Sequence, residues 1–288
     1  MSRHPSLSVV MPVGRVDVEL ANQLDALVAQ NYAEPWELVL SLNTDDAAER
    51  SALDVLLEAR PFLDATIVDS SAHRSAAHAR NVGAAAASGL VLCFCDGDDV
   101  ADPGWISGLV AAVAPGRAVG GHLEEGLLAI PGQENWRPPA TPGALPSFLG
   151  HPYLVSANMG VHRQVFEQVG GFDTTLIRGE DVAFSWDLLD AGIELTYAAE
   201  AVMHYRHRRG LVPMMRQHFL YGRGFSQLLA RRGMPGGGSS ASGLRALRPN
   251  GQPVDHKGVV YLLRRGSIAA GRVAGLVEQR ARRRGPAD

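Results

Sequence analysis

Short apolar segments alternate with amphipathic ones between residues 6 and 95, and this alternation constrains the fold more than any other feature of the chain. The amphipathic segments carry apolar residues at helical spacing, as at Leu20, Leu24 and Leu27. Strands that alternate with helices of this length form right-handed βαβ units and a mostly parallel sheet. We therefore predict an α/β fold. The predicted strands are Ser6–Pro12, Trp36–Leu42, Ala65–Asp69 and Leu90–Cys95, and the predicted helices are Val18–Gln30, Ala47–Ala59 and His73–Ala87.

The centre of the chain is less regular. The segment Pro131–Pro146 contains five prolines, which predicts a loop rather than a regular element. Helical and strand-like patterns continue on both sides of this loop. The predicted helices are Trp105–Val113, Gln164–Val169 and Val182–Ala191, and the predicted strands are Tyr153–His162, Ile193–Tyr197 and Ala201–Tyr205.

The composition excludes several classes of protein. Apolar residues make up 46% of the chain and charged residues 20%, so the chain can bury a core and is not mainly disordered. The longest apolar runs, such as Gly89–Cys95, are too short to span a bilayer, and Met1–Pro5 carries no apolar signal segment. We therefore expect a cytoplasmic protein. Two cysteines are too few for a disulfide framework or a zinc site of their own, so we expect Cys93 and Cys95 to be buried.

Charge is divided unevenly along the chain. Residues 1–200 hold 10 arginines and no lysine against 27 acidic residues, a net charge of −17. Residues 201–288 hold 17 basic residues against 3 acidic ones, a net charge of +14. A basic tail favours phosphates, nucleic acid or an anionic membrane surface, or it folds back on the acidic body.

The tail has two parts. Gly233–Gly243 is rich in glycine and serine and predicts a flexible linker. Val259–Arg284 mixes apolar and basic positions and predicts one or two amphipathic helices, with Gly266 as the point of interruption. Such helices either dock on an anionic membrane, cover the preceding α/β domain or form a homodimer contact. Aromatic residues are sparse in the tail and no recognition motif is present, so we do not expect nucleic acid as a partner.

The sharpest chemical signal is the segment Asp96-Gly97-Asp98-Asp99, which directly follows an apolar strand. Ligands of open α/β sheets bind beyond the carboxyl ends of the strands. Three carboxylates there repel one another unless a cation lies among them, and oxygen-only clusters suit Mg²⁺ or Mn²⁺. Gly97 lets a ligand approach the backbone closely. The alternative is an acidic turn, since aspartate and glycine are common turn residues.

Two weaker signals accompany the aspartates. Glu180 and Asp181 lie at the start of a predicted helix, where an acidic residue either caps the helix or takes part in chemistry. The guanidinium of Arg80 offers several N–H donors, which suits recognition of a diphosphate. The simpler alternative is that Arg80 is an ordinary surface arginine.

Taken in order, these segments resemble the inverting family-two nucleotide-sugar glycosyltransferases, which have the GT-A fold. The resemblance covers about residues 6–225. It implies a Rossmann-like, mostly parallel sheet flanked by helices, as a single catalytic domain followed by the basic helical tail. The segments that carry the resemblance are Ser8–Val13, Ala79–Gly83, Val91–Asp99, Ser156–Arg163, Val169–Asp173, Glu180–Asp181 and Ala201–His204.

The resemblance also divides the chain. It assigns residues 1–100 to the nucleotide-sugar-binding half of the GT-A domain and residues 101–232 to its acceptor-binding and catalytic half. Residues 233–288 are then the flexible linker and the amphipathic tail.

The donor site is implied residue by residue. Asp96 faces the ribose or the sugar of a nucleoside-diphosphate sugar, with Gly97 beside it. Asp98 holds a divalent cation, Mg²⁺ or Mn²⁺, and Asp99 is a helper. His204 is implied as a further metal ligand. Its alternative is His207, and the ordinary structural role of an isolated histidine also stays open.

The remaining implied contacts lie on other segments. Pro12, Val13 and Arg15 match the first nucleotide-contacting segment, and Arg80 matches the arginine on the diphosphate side. Many relatives carry an aspartate after the second strand, where this chain has Leu42 or Asn43, so the identity of the nucleobase stays open.

The implied reaction is a metal-dependent displacement with inversion at the anomeric carbon. Asp181 takes the proton of the acceptor hydroxyl as general base, and Glu180 positions it or binds the acceptor. A cell-envelope glycan, a lipid-linked acceptor and a small molecule all fit as acceptor. Such an enzyme is cytoplasmic, or peripheral on the inner membrane face.

Departures from the family pattern leave two other functions open. Ala183 and Asp187 replace an acid and an arginine that relatives often carry, which suits a degenerate protein that holds a nucleotide sugar without turnover. A sugar-phosphate nucleotidyltransferase would need a glycine-rich, basic phosphate loop, which Pro12–Arg15 does not supply. The C-terminal Gln-x-x-Arg-Trp motif of processive members is missing, which argues against a polysaccharide synthase.

Overall fold

The structure, a computed structural model, describes residues 6–133, 136, 143–234 and 256–283. The chain forms two compact units. The first comprises residues 1–128, 140–174 and 181–206, and the second comprises residues 129–139, 175–180 and 207–288. The predicted division of the chain at residues 100 and 232 stays a prediction. The predicted linker Gly233–Gly243 lies almost wholly outside the described residues, and the predicted loop Pro131–Pro146 lies outside them in part.

Ten strands are described in the first unit. They are β1 (Leu7–Val13), β2 (Trp36–Leu42), β3 (Ala65–Asp69), β4 (Val91–Cys95), β5 (Val100–Ala101), β6 (Arg117–Glu124), β7 (Ser147–Phe148), β8 (His151–Pro152), β9 (Asn158–His162) and β10 (Glu194–His204). Eight of them form one sheet in the order β3-β2-β1-β4-β9-β6-β10-β5, and β7 and β8 form a hairpin.

The sheet is parallel on one side and mixed on the other. Strands β3, β2, β1 and β4 run parallel to one another, and β6 runs parallel to β10. Strand β9 is antiparallel to both β4 and β6, and β5 is antiparallel to β10. The α/β prediction with a mostly parallel sheet is confirmed.

Helices cover both faces of this sheet. They are α1 (Val18–Val28), α2 (Ala47–Glu58), α3 (Ala76–Ala86), α4 (Trp105–Ala112), α5 (Arg163–Gln168) and α6 (Glu180–Asp190). Successive residues of a strand point to opposite faces, so β1 serves two cores. Val9 packs with residues of α1, α2 and α4, whereas Val10 packs with residues of α3, α5 and α6. Cys93 and Cys95 are fully buried as expected, and burial raises the pKa of both thiols.

Capping residues fix where the first three helices begin. The side chains of Asp17, Asp46 and Ser75 each accept a backbone N–H from the first turn of α1, α2 and α3. Such caps satisfy donors that a helix start otherwise leaves unpaired. They also set the length of the loops that follow β1, β2 and β3, which are the loops at the carboxyl edge of the sheet.

Two strand predictions differ from the structure. Strand β9 begins at Asn158 rather than Tyr153, because Asn158 N–H donates to Val155 O in a turn. The two strands predicted between residues 193 and 205 are a single strand, β10, whose pairing with β6 shifts between Ala198 and Val202. A register shift of this kind interrupts the strand pattern in the sequence, so one strand is predicted as two.

Strand β6 was not predicted, because Gly120 and Gly121 lie within it and weaken its strand pattern. The structure explains the second glycine. A Cβ atom on Gly121 would lie 2.3 Å from Ala201 O and 2.3 Å from Asn158 Oδ1. The glycine therefore permits the close packing of β6 against β9 and β10.

Two long helices, α7 (Leu211–Arg231) and α8 (His256–Arg283), form most of the described part of the second unit. Helix α8 continues through Gly266, so the tail is one helix where one or two were predicted, and α7 was not predicted. The helices are in backbone contact, since a Cβ atom on Gly271 would lie 2.0 Å from Phe219 O. No helix within the described ranges is both long and apolar enough to cross a membrane.

Two glycines of α8 test this close contact. Gly271→Ala should speed hydrogen exchange of α8 amides, because the added methyl group forces the helices apart at a cost of about 1–3 kcal/mol. Gly266→Ala should slow it, since no atom lies within 4 Å of the new Cβ and alanine favours a helix by about 1 kcal/mol. Hydrogen exchange read by mass spectrometry measures both. Equal effects of the two substitutions would contradict the packing.

Candidate functional site

Three aspartates lie together where β4 ends. Asp96 follows the last residue of β4, and Asp99 precedes β5. One carboxylate oxygen of each of Asp96, Asp98 and Asp99 lies within 4.8 Å of the others. Among the described residues, this is the one group of three or more acidic, histidine or cysteine side chains close enough to share a metal ion. The acidic segment is therefore a compact cluster of oxygens at the carboxyl edge of the sheet.

Asp96 is held by two residues from different helices. Arg80 Nη2 on α3 donates to Asp96 Oδ1 at 2.5 Å, and the arginine side chain is only 3% exposed. Gln23 Nε2 on α1 donates to the carbonyl oxygen of Asp96 at 3.1 Å. Gln23 also accepts the N–H of Ala101 on β5, so one buried amide joins both ends of the acidic segment. Side chain and backbone of Asp96 are thus fixed independently.

Asp99 is a buried carboxylate at the same edge. Its Oδ1 atom accepts the backbone N–H of Arg206 at 2.7 Å, and its Oδ2 atom is buried without a hydrogen-bond partner. Burial, together with the negative charges of Asp96 and Asp98, raises the pKa of Asp99 well above its ordinary value. A buried oxygen of this kind either keeps a proton or binds a cation.

Arg206 closes the acidic segment from the other side. Besides the bond to Asp99, its Nε atom donates to the carbonyl oxygen of Asp98 at 2.7 Å. Arg206 lies two residues after the end of β10, and β10 pairs with β5 through His204 and Val100. This pairing brings residues more than a hundred positions apart into contact. No sequence signal pointed to Arg206, whereas Gln23, a polar residue on the apolar stripe of α1, could have been found.

The segment Ala79–Gly83 on α3 serves the site in three ways. Arg80 pairs with Asp96, as described. Asn81 Nδ2 donates to Phe172 O at 2.8 Å, and Asn81 Oδ1 accepts Phe172 N–H at 2.9 Å. Gly83 lets α3 approach β1, since a Cβ atom there would lie 2.6 Å from Val10 Cγ1. One short helical segment therefore positions the acidic cluster, the loop after α5 and the sheet relative to one another.

An aromatic cluster connects α6 to this arrangement. Phe172 lies 5.8 Å from the Arg80 guanidinium and packs on Phe184 of α6, with ring centroids 4.8 Å apart. Phe172 also contacts Phe94 of β4 edge to face at 5.3 Å. Offset and edge-to-face contacts of this kind are favourable and directional. The cluster therefore fixes the orientation of α6 relative to the end of β4.

Asp181 lies in the first turn of α6, three residues before Phe184. It is half-buried, and its Oδ1 atom accepts the N–H of Val182 at 2.8 Å. Its carbonyl oxygen accepts the hydroxyl of Ser185 at 2.7 Å. The N-terminus of a helix favours an ionised carboxylate. Glu180 belongs to the second unit, so the division between the units falls between the two predicted acidic residues.

The other predicted donor contacts lie along the same edge. Val13 is buried at the end of β1 and its carbonyl oxygen accepts the N–H of Asn43 at 2.7 Å. Asn43 Nδ2 also donates to Ser70 O at 2.6 Å and to His73 O at 2.8 Å. Asn43 thus joins the loops after β1, β2 and β3, and its role toward a nucleobase stays a prediction.

Three further donor-site predictions have packing or charge partners. Arg15 is exposed and its Nε atom donates to Asp17 at 2.8 Å. Pro12 is half-buried within β1. The pairing of β1 with β4 ends before Pro12, so the sheet needs no N–H from the proline on that side. A Cβ atom on Gly97 would lie 3.1 Å from Leu20, which explains the small residue by packing. Their contacts to a donor stay predictions.

The predicted metal ligand His204 lies at the end of β10. Its Nδ1 atom is 2.8 Å from Glu124 Oε2, and its Nε2 atom is 4.0 Å from Asp102 Oδ2. The structure therefore brings His204 to these two carboxylates and does not include it in the aspartate cluster. His207 belongs to the second unit. Metal ligation by either histidine stays a prediction.

Asp99 makes the stability of the metal-free protein depend on pH. Its folded-state pKa is raised, so the folded protein binds the proton more tightly than the unfolded chain. Its contribution to stability is complete below the unfolded pKa of about 3.9 and is lost as pH rises through the folded pKa. Asp99→Asn should therefore flatten the dependence of the free energy of unfolding on pH, because the amide does not titrate.

Denaturant unfolding followed by circular dichroism, with a chelator present, measures this effect. Asp54→Asn, which changes an exposed carboxylate of α2, is the matched control and should leave the profile unchanged. If wild type and Asp99→Asn show parallel profiles, Asp99 is not the titrating group.

Comparisons with known proteins agree with this architecture. Residues 8–170 match the model of glycosyl transferase family 2. The chain is 32% identical over 167 residues to the pre-mycofactocin glycosyltransferase of Mycobacterium tuberculosis strain H37Rv, a match that covers 54% of this chain and 35% of that protein. It is 26% identical to glycosyltransferase AglE of Haloferax volcanii over 78% of this chain and 74% of AglE. The chain thus spans about a third of the length of its mycobacterial relative.

Solved structures share the fold at low sequence identity. The mannosyltransferase PcManGT of Pyrobaculum calidifontis, in complex with GDP-Man and Mn²⁺, superposes with a TM-score of 0.62 at 18% identity, covering 96% of this chain and 76% of that one. TarS 1–349 of S. aureus, in complex with UDP-GlcNAc, superposes with a TM-score of 0.58 at 12% identity, covering 96% and 92%. These likenesses confirm the predicted GT-A fold. Since the family match extends over more than half of its 288 residues, the chain belongs to glycosyl transferase family 2.

Proposed function

We propose that this protein is an inverting glycosyltransferase that moves a sugar from a nucleoside-diphosphate sugar to an acceptor hydroxyl. The observation that carries the proposal is the cluster of three carboxylates at the end of β4 in a chain of this family. In open α/β sheets, ligands bind at this edge. The relatives and structural neighbours that carry glycosyltransferase names support the same reaction class.

The aspartate cluster suits a divalent cation. Its ligands are oxygens only, and the buried Oδ2 atom of Asp99 has no hydrogen-bond partner. Asp98 is exposed and would be the principal ligand, with Asp96 and Asp99 beside it. When bound there, Mg²⁺ or Mn²⁺ supplies positive charge that stabilises the departing nucleoside diphosphate. The Mn²⁺ in the PcManGT complex makes Mn²⁺ the first ion to test.

The residues of this chain have separate tasks in the reaction. Asp96, held by Arg80, contacts the ribose or sugar of the donor and orients it. Asp181 accepts the proton of the acceptor hydroxyl while that oxygen bonds to the anomeric carbon. The bond between the anomeric carbon and the phosphate oxygen breaks at the same time, and its electron pair leaves with the diphosphate. Attack opposite the leaving group inverts the configuration.

Asp181 suits the role of base for two structural reasons. The start of α6 favours its ionised form, which is the form that accepts a proton. The contact between Phe184 and Phe172 also orients α6 relative to the strand that carries the aspartates. A positioned base of this kind contributes a factor of about 10²–10⁴ in rate. Glu180 would position the base or bind the acceptor.

Nucleotide binding tests the donor site. Calorimetry with UDP, GDP and dTDP, each with and without Mn²⁺, should find one nucleotide whose binding needs the ion. Asp98→Ala should weaken that binding at least tenfold, because it removes the principal ligand. Asp54→Ala, on the exposed surface of α2, is the control. Unchanged metal dependence in Asp98→Ala would exclude Asp98 as a ligand.

Turnover tests the base. Asp181→Asn should lower the turnover rate by about 10²–10⁴ while leaving nucleotide affinity within about twofold, because the amide keeps the size of the side chain but cannot accept the proton. The control is Asp190→Asn at the other end of α6. Release of nucleoside diphosphate in the presence of acceptor is the measured quantity. Loss of nucleotide binding with unchanged turnover at saturating donor would contradict the assignment.

A further inference from the structure

Helix α8 has a wide apolar face that points away from α7. At 3.6 residues per turn, apolar residues occupy about 140° of its circumference without interruption by charge until Arg280. Val273 is 61% exposed and Val277 is 59% exposed. Other members of this face, including Val259, Leu263, Ala270 and Leu276, are exposed or half-buried. We call these residues the outer face of α8.

The opposite side of α8 is occupied by α7. Gly271 and Gly275 are buried there, and Cβ atoms on them would lie 2.0 Å from Phe219 O and 3.0 Å from Arg223 O. Glu278 pairs with Arg223 at 2.6 Å. Small residues and this ion pair fix the rotation of α8 about its axis. The outer face is therefore kept away from α7 and is not an alternative packing surface for that helix.

Basic side chains border the outer face. Arg265 and Arg272 lie along one edge of it, and Arg280 lies at its C-terminal end. Arg265 donates to the hydroxyl of Tyr261 at 2.6 Å, and its guanidinium lies 5.5 Å from the centre of the tyrosine ring. Glu278 is the single acidic residue between positions 256 and 283, and it is already paired. Within the described part of α8, the border of the face thus carries more basic than acidic side chains.

We propose that the outer face of α8 docks on an anionic lipid surface. A helix with a broad apolar face and a basic border lies in the plane of a membrane interface, with its apolar side chains below the headgroups and its arginines at the phosphates. A partner in a two-stranded coiled coil covers only a narrow a/d seam, and this face is wider than such a seam. A second copy of the chain would also bring two strongly basic helices together, which like charges oppose.

Vesicle binding of the full chain tests the proposal, which does not depend on the proposed enzymatic function. Flotation with vesicles of phosphatidylcholine alone, and with phosphatidylglycerol added, measures the partition coefficient. The wild type should bind the anionic vesicles at least tenfold more tightly, and added salt should weaken this binding. The double variant Val273→Asp, Val277→Asp should reduce it at least tenfold, because two exposed apolar side chains become charged.

The control is Val55→Asp, which makes the same change on α2 at a valine that is 63% exposed. It should bind vesicles like the wild type. A second variant, Arg265→Gln with Arg280→Gln, keeps the apolar face and should lose mainly the preference for anionic vesicles. Circular dichroism before flotation verifies that each variant keeps its helices.

Two outcomes would overturn the proposal. Equal vesicle binding by wild type and by the Val273→Asp, Val277→Asp variant would show that another surface binds lipid. A concentration-dependent dimer in sedimentation, lost in this variant and without vesicle binding in the wild type, would show that a second copy covers the face.

Discussion

The buried ion pair between Arg80 and Asp96 is the interaction on which the candidate site depends. A guanidinium that is 3% exposed has lost nearly all of its hydration, and a carboxylate within hydrogen-bonding distance offsets much of this loss. The pair therefore holds Asp96 at the end of β4. Phe172 packs against the same guanidinium, and its backbone is bound by Asn81. Helix α3 thus sets the positions of both the acidic segment and, through Phe184, the helix that carries the proposed base.

Repulsion among the aspartates is the second constraint. Unit charges about 5 Å apart repel by about 3 kcal/mol at an effective dielectric constant of 20, and the three carboxylates lie within 4.8 Å. Arg80 compensates Asp96, and the backbone N–H of Arg206 compensates part of Asp99. A proton on Asp99 or a bound cation would reduce the remaining repulsion among the three carboxylates. The fold therefore gives this edge a built-in affinity for positive charge, which suits a site for a metal and a diphosphate.

Much of the fold and part of the site could be predicted from the sequence. What could be predicted differs from what could not for a physical reason. Local periodicity predicted β2 and β3 with their observed bounds, because apolar alternation and flanking turn residues are encoded within a few positions. Strand β6 was missed because Gly120 and Gly121 serve contacts with distant residues rather than local strand propensity. The aspartates follow a strand directly and could be found. Arg206 could not be found from the sequence, because only the pairing of two distant strands, β10 and β5, brings it close to Asp98.

Helix α8 shows the same distinction between local and distant information. Its sequence carries apolar residues on two sides, with Gly271 and Gly275 on one and Val273 and Val277 on the other, and periodicity alone does not say which side is covered. The packing of α7 decides this, because Gly271 allows backbone contact that a larger residue would prevent. Helices in contact at small residues leave the larger apolar side chains, such as Val273 and Val277, on the outside. The basic border of that face then follows from the uneven charge of the chain, since α8 has no acidic residue besides Glu278 to neutralise its arginines.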